Sequence, residues 1–592
     1  MMQRWGIIEI MASNKSVAEI LYDIAEYLNI DGVPFKPRAY EKVAETIEGL
    51  EESVSEIYQK GGIKALEDIP GIGISIAEKI EEFIKTGKIK YYEELKKKMP
   101  VEIDSLRKVE GLGPQSIKNL YEKLGIRTIG DLEKAAREKK IRTLEGFGEK
   151  SEEKILKSLG FLEKSSGRFI LGFVMPEVEG IVKRIHDQRD VEKAIVTGSV
   201  RRMKETIGDV DILAISKNAE PIMNYFVRMP EVVKVTAHGE TKSAIKLKSG
   251  LNVDLRIVPK GSYGAALNYF TGSKAHNIAL REIAIKKGMK LNEYGLFKVS
   301  GKKETFVAGR TEEELYRALG LQYIEPEMRE DTGEIELARE NKLPKLIGYG
   351  DLKGDLQVQT NWTDGSDSIE TMAREAVKSG LEYIVITDHT KRLAMTGGLD
   401  KKRIKKQMEE IDKVNKKLKS EGKRMMVLKG SECDILKDGT LDLPDSILSQ
   451  LDVVGVSVHS YFSLSREEQT ERIKRAMNNR NVDIIFHPTG RVIQKREAYD
   501  VDMDELIRHA KRTNTILEID ALPERADLKD EYIRKCVAAG VKMSIDSDAH
   551  TPRHFQILRY GVAQARRGFA EKKDTINAWP LAKVRKLLKI PH

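Results

Sequence analysis

Residues 209–215 read Asp-Val-Asp-Ile-Leu-Ala-Ile, an apolar alternation that opens on two acids. In a strand, side chains alternate between faces, so Asp209 and Asp211 are predicted to share one face while Val210 and Ile212 take the other. A second alternating run, from Ile245-Lys-Leu-Lys through Leu255-Arg-Ile-Val, carries Asp254 and is expected beside the first. Three carboxylates converging from neighbouring strands suit two hard divalent cations, with phosphate oxygens and water completing the coordination. For Asp-x-Asp alone, a pair of solvated strand aspartates beside a turn is an equally good reading.

The sequence just upstream separates the two. Gly198-Ser199-Val200-Arg201-Arg202 places a Gly-Ser turn and a guanidinium ahead of Gly208-Asp209. Such a turn offers backbone N–H groups and a hydroxyl to a phosphate, and Arg202 adds a charge-assisted donor. Phosphoryl transfer requires charge stabilisation on both the attacking and the leaving oxygen, which is what a two-cation carboxylate platform supplies.

Taken together these segments resemble the nucleotidyltransferase palm of family X DNA polymerases, and the match continues through Tyr269-Phe270-Thr271-Gly272-Ser273, Asn277 and Arg281. The resemblance implies that Asp209 and Asp211 bind two Mg²⁺ ions, for which Mn²⁺ can substitute, and that Asp254 binds the catalytic one. It implies that Gly198, Ser199, Arg202 and Gly208 hold the triphosphate of a dNTP. Tyr269, Phe270 and Gly272 would pack on its sugar and exclude a 2′-hydroxyl, Asn277 would reach the minor-groove edge of the base, and Arg281 would touch the template. Lys274 and Ile278 depart from residues that some members carry, so fidelity and base preference do not transfer.

A shorter element recurs three times: Pro70-Gly71-Ile-Gly73-Ile, Glu110-Gly111-Leu-Gly113-Pro and Glu145-Gly146-Phe-Gly148-Glu. Each precedes a helical pattern, at 75–85, 115–124 and 150–159. Paired glycines permit positive φ and present backbone N–H groups at a helix N-terminus, the helix-hairpin-helix device that grips a DNA phosphate without reading bases. One copy is no more than a helix-helix turn; three ahead of a palm point to DNA. Residues 13–90 resemble the family's 8-kDa-type domain through Phe35-Lys36-Pro37-Arg38-Ala39-Tyr40 and 71–79. That likeness puts Lys79 at the position of a 5′-deoxyribose phosphate lyase nucleophile, with Lys36 and Tyr40 on the phosphate side. A plain phosphate contact or a solvated lysine is the alternative, and Ser75 stands where a further phosphate-binding lysine is found in the family.

Residues 326–345 are charged and lack periodicity, so they read as a linker. Beyond it, apolar strands at 383, 426, 453, 482, 515 and 542 alternate with helical stretches, indicating an α/β barrel or an open parallel sheet. Ionisable residues sit at the strand ends, where barrel active sites assemble. The pattern resembles the PHP (polymerase and histidinol phosphatase) domain, a distorted seven-stranded barrel. Seven of its nine ligand positions match: Asp364, His389, Glu432, His459, His487, Asp548 and His550. The other two fall on Gln357 and Gln359, where active members have His-x-His. An amide is a far poorer ligand for Zn²⁺ or Mn²⁺ than an imidazole, so a residual site with a degenerate nuclease is expected.

The expected organisation is multidomain: an extension at 1–12, helical helix-hairpin-helix regions at 13–90 and 91–165, an α+β palm at 166–260, a nucleotide-selecting subdomain at 261–325, the linker, and the barrel at 346–592. The net charge of +9 fits a polyanionic partner, gapped or primer-template DNA, although one-third charged residues also suits a thermophile-type surface. Cys433 and Cys536 form no metal or disulfide pattern, pointing to a reducing cytoplasm, and no run reaches membrane-spanning length. A monomer is expected. Residues 1–12 are too short and mixed for a signal peptide, and Met11 is an alternative start. Three rivals stay open: a bifunctional repair enzyme with an active PHP 3′-5′ exonuclease or abasic-site processing, a repair nuclease whose barrel supplies the main activity, and a non-catalytic gap-binding scaffold.

Overall fold

The computed structural model describes residues 14–588 apart from 34, 35, 49, 51, 108, 110, 166 and 393–395. The expected extension at 1–12 lies outside the described residues, as do Phe35 and Glu110 of the quoted motifs. The chain divides into two compact units, one of residues 1–166 with 494–496 and one of the remainder.

The first unit is helical around one apolar cluster that runs without a break from Val17 to Leu159. The expected boundary near residue 90 is therefore not marked by a gap in the core: Tyr92 and Leu95 of the helix Lys90–Lys98 are buried in the same cluster. All three hairpins form. Gly71, Gly111 and Gly146 take φ of +87°, +86° and +84°, and the helices Ile74–Thr86, Pro114–Leu124 and Glu149–Ser165 follow.

In the second unit, a five-stranded sheet runs in the order Val191–Val196, Asp209–Ser216, Asn252–Val258, Lys242–Leu247, Val232–His238. The acid-bearing strand 209–216 pairs in parallel with 252–258, and Asp211 stands opposite Asp254. The second alternating run is two strands rather than one: 242–247 and 252–258 form an antiparallel hairpin whose turn holds Gly250 at φ +86°. Alternation cannot reveal such a reversal, because the parity of the pattern continues through an even-numbered turn.

The sheet's two faces explain where the acids lie. Val210, Ile212, Ala214, Val253, Leu255 and Ile257 pack into the larger core with the helices Leu171–His186 and Ala219–Val227. On the opposite face, Leu213 and Ile215 are covered by Tyr263, Ala266 and Leu267 of the helix Tyr263–Thr271. Asp209, Asp211 and Asp254 occupy the uncovered end of that second face. A three-stranded sheet follows, 289–292, 295–300 and 303–308.

Residues 326–345 do not form a free linker. They contain a 3₁₀ turn, Pro326–Met328, and the helix Glu334–Arg339, and Glu327, Met328, Arg329, Glu334 and Ile335 are buried. Their charges are paired inside the protein: Arg329 with Glu312 at 2.6 Å, and Glu334 with His276 at 2.7 Å. Composition misread the segment because buried ion pairs look like solvated charge in a sequence.

Seven parallel strands in chain order, from Gly354–Val358 to Met543–Asp546, make the C-terminal barrel. A parallel bridge between Val358 and Ala549, with Gln359 N donating to Ala549 O at 2.8 Å, brings the first strand to the end of the last. Helices wrap the outside over one large apolar cluster, while Leu356, Tyr383, Leu428, Ile484 and Phe486 pack inside against Ile576 and Trp579. That interior is tight at Gly455, where a Cβ would lie 1.8 Å from the Phe486 ring.

Candidate functional site

The strand start that carries the acids meets the turn that follows Val196. Thr197 N donates to Asp211 O at 2.7 Å, and Gly198 then takes φ +61°. A Cβ on Gly198 would lie 2.8 Å from Asp211 Oδ2, so only glycine lets this backbone approach the carboxylate. Burial, together with the charges of Asp209 and Asp254, raises the Asp211 carboxyl to about 6. Lys242 Nζ lies 2.8 Å from Asp254 Oδ2, a protein cation on the same cluster. Three crowded carboxylates, with an ammonium already drawn in, are a fit for divalent cations.

On the same face, Arg256 lies over the Phe270 ring at 4.6 Å, and Tyr269 packs edge-on against Phe270 at 5.1 Å. Asn277 Nδ2 donates to Tyr269 O at 2.7 Å, and Arg281 Nε reaches Asn277 O at 3.3 Å, so these five residues form one connected group. Arg202, expected to donate to phosphate, is held on two sides by the protein. Its Nε pairs with Glu330 at 3.1 Å, and its Nη1 donates to Thr271 O. Gly272 is needed there, since a Cβ would come within 3.1 Å of Arg202 Nη1. Arg201, which the motif alone did not single out, is half-buried in a cluster with Glu312, Thr271 and Arg329. Glu312 is held at about 2: burial opposes ionisation, but Arg329 and Arg201 outweigh it.

In the first unit, Gly73 and Gly113 cap their helices with no side-chain bond, and a Cβ on five of the six hairpin glycines would meet nothing within 4 Å, while one on Gly71 would only touch Val43 Cγ2 at 3.9 Å. The first-turn N–H groups are thus open to an anion. Lys79 Nζ donates to Ser75 O at 2.9 Å and to Ser75 Oγ at 3.1 Å. Burial lowers its pKa, and neighbouring Lys36 adds to the effect while Glu78 and Glu82 oppose it. Tyr40 is buried and its phenol is pushed up to about 12 by burial and by Tyr91, whereas Lys36 is exposed.

At the barrel's strand ends, the seven expected ligands converge. Asp364, His389 and His550 offer ligand atoms within 4.8 Å of one another, as do His389, Glu432 and His459. His487 Nε2 lies 2.9 Å from Glu432 Oε1. Asp548 lies 3.8 Å from His550 Nδ1 and 3.9 Å from Arg525, which also meets Asp520 at 3.3 Å. His487 and Asp548 both hold positive φ, +30° and +46°, a local strain of the kind found at functional sites. Burial opposes protonation of His550 and His459, yet Asp548 and Asp364 raise the former to about 10, and Asp434 and Glu432 raise the latter to about 9.

Gln357 and Gln359 are buried, and both donate an amide N–H to Glu432 Oε2, at 3.2 and 3.0 Å. Imidazoles would offer lone pairs to an ion; the amides offer protons to a ligand. With His459 and His487 on its other oxygen, Glu432 is saturated by donors from the protein. The carbonyl oxygens of Gln357 and Gln359 are buried with no hydrogen-bond partner, but as neutral amide oxygens they are far poorer ligands for Zn²⁺ or Mn²⁺ than imidazoles, while Asp364, His389 and His550 fit an ion. Asp434, which orients His459, and Arg525, which screens the acids, were missed in the sequence because neither belongs to the ligand pattern.

The DNA polymerase beta thumb family matches residues 266–330, a helix-hairpin-helix domain matches 12–89, and a SAM-like helix-hairpin-helix tandem matches 103–160. Along 579 residues the chain is 37% identical to the DNA polymerase/3′-5′ exonuclease PolX of Bacillus subtilis, covering 97% of this chain and 99% of that one. It is 24% identical to DNA polymerase lambda of Rattus norvegicus over 54% of this chain and 56% of that one. A "Probable phosphatase" of Thermoanaerobacter sp. is 30% identical over 31% of this chain and 72% of its own.

Proposed function

Because the chain belongs to the family X DNA polymerases and carries a PHP-type barrel behind the polymerase region, we propose that it fills short gaps during DNA repair and that its barrel nuclease is degenerate. It works as a monomer in the cytoplasm on gapped or primer-template DNA, with dNTPs as substrates. The observation that carries the polymerase reading is the parallel register that sets Asp211 opposite Asp254 beside the Gly198 turn.

Asp209, Asp211 and Asp254 would hold two Mg²⁺ ions, with Mn²⁺ as a substitute. When bound, the ions supply Lewis-acid stabilisation to the attacking and leaving oxygens. Asp254 would take the proton of the primer 3′-hydroxyl as its oxygen bonds to the α-phosphate and the bond to the leaving pyrophosphate breaks. The Gly198-Ser199 turn, Gly208 and Arg202 bind the triphosphate and take up its charge. Tyr269, Phe270 and Gly272 wall the sugar, Asn277 addresses the base, and Arg281 the template. The hairpin glycines grip phosphates, which positions DNA without selecting sequence. Lys79, with its lowered pKa, serves as lyase nucleophile toward an abasic sugar.

In the barrel, Asp364, His389 and His550 keep one Zn²⁺ or Mn²⁺, while Gln357 and Gln359 weaken the neighbouring position. The relative from Bacillus subtilis carries exonuclease in its name; Gln357 and Gln359 weigh against that activity in this chain. Primer extension on a one-nucleotide gap, with and without a 5′-phosphate, tests the reading. Insertion stimulated by the phosphate is expected, and failure to insert any dNTP would refute it.

A further inference from the structure

The barrel reaches into the triphosphate cradle through one side chain. Arg567 ends the helix Leu558–Arg567 on the barrel's outside and is almost fully buried, its side chain 3% exposed. Its Nη1 donates to the backbone carbonyl of Arg202 at 2.8 Å and meets Glu330 Oε1 at 3.1 Å. Its Nη2 is held by Asp530 of the barrel at 2.6 Å. Glu330 Oε1 is the same oxygen that receives Arg202 Nε. Arg202 is therefore fixed at its backbone by Arg567 directly and at its side chain through Glu330, while Thr271 O takes Nη1. Among the described residues, Arg202 Nη2 takes no hydrogen bond, leaving that nitrogen for a ligand.

We infer that Arg567 and Glu330 are positioning residues for the polymerase reaction: the barrel holds Arg202 in the orientation that receives the incoming triphosphate. The inference rests on the proposed role of Arg202. Its physical basis is that a long guanidinium loses rotamer freedom on binding a phosphate, and a site that has already fixed it spares that loss at the moment of binding. Two of the three guanidinium nitrogens are anchored in a largely buried setting, where a charge-assisted contact is stronger than at a surface. The barrel thus serves dNTP binding even where its own metal site is incomplete. Other barrel contacts to the polymerase region do not share this wiring: Arg559, on the same helix, pairs with Glu179 in an exposed position.

The test is steady-state insertion into a one-nucleotide gap at saturating DNA, using the full-length protein and reading KM for dNTP and kcat separately. Arg567→Met and Glu330→Gln should each raise KM about tenfold, the size of one weakened charge-assisted contact, with a smaller change in kcat. Arg567→Lys should restore part of the loss. Arg202→Ala should raise KM at least as much, and adding Arg567→Met to it should cost nothing further. Arg559→Met should leave both constants unchanged, separating this wiring from general loosening of the interface. If Arg202→Ala raises KM but Arg567→Met and Glu330→Gln match wild type, or add fully to Arg202→Ala, the inference fails and the triphosphate role stands. If Arg202→Ala leaves KM unchanged, that role fails and the inference with it. Should Arg567→Met not fold, Glu330→Gln decides alone.

Discussion

Replacing Gly198 with alanine perturbs the proposed active centre by a single methyl group. The glycine sits at φ +61°, and the new Cβ would stand 2.8 Å from Asp211 Oδ2. Holding an L-residue in the left-handed region costs about 1–2 kcal/mol. Ordinary contact needs about 3.5 Å, so the carboxylate must withdraw by about 0.7 Å or the turn must shift by as much. Misplacement of about 1 Å at a reacting centre costs on the order of 10²-fold in rate. Gly198→Ala should thus lose only a few degrees of thermal stability, at about 2–4 °C per kcal/mol for a domain of this size. Single-turnover insertion should fall by about 30- to 100-fold. The assay is rapid-quench insertion of one dNTP into a gap, with a thermal melt of the same preparation. Insertion within about threefold of wild type, equivalent to less than about 0.7 kcal/mol, would refute the claim that the turn and the acid are fitted to each other.

Asp254→Ala should abolish nucleotide addition while gapped-DNA affinity, measured by anisotropy, stays near wild type; residual extension above about one per cent would speak against the carboxylate platform. Gly111→Val forces a branched side chain onto φ +86° and should weaken DNA binding and reduce its salt slope, whereas an unchanged slope would remove that hairpin from the DNA interface. In chelator, the barrel's thermal midpoint should fall as pH rises. His459 and His550 are raised to about 9 and about 10, so the stability they add is complete below the free imidazole range and is lost as pH climbs through those values; a midpoint that is steady or rising would contradict the pairing. Gln357→His with Gln359→His should increase bound Mn²⁺ or Zn²⁺, read by metal analysis after gel filtration, and unchanged metal content would show that more than two ligands have been lost.

Much of this architecture is legible in the residues because local chemistry fixed it. The three Gly-x-Gly hairpins follow from backbone geometry that only glycine adopts cheaply, and strand parity put Asp209 and Asp211 on one face. Strand-end acids and histidines marked the barrel mouth before any coordinates. What stayed hidden was long-range. The reversal at Gly250 preserves parity, so two strands read as one. The buried pairs of Arg329 with Glu312 and Glu334 with His276 made a packed segment resemble a linker. Arg567 lies 365 residues from the backbone carbonyl it holds, and no spacing rule connects them. The glutamines were readable as missing ligands, but that their amides would turn into Glu432 was not.

The most direct test of the whole account is one gel: a 5′-labelled primer on gapped DNA with dNTPs and Mn²⁺, using wild type, Asp211→Ala and His487→Ala, in which extension and shortening of the same strand are read together. The account predicts extension by wild type and His487→Ala, none by Asp211→Ala, and no shortening in any lane. Extension that survives in Asp211→Ala, or shortening in Asp211→Ala that disappears in His487→Ala, would contradict it.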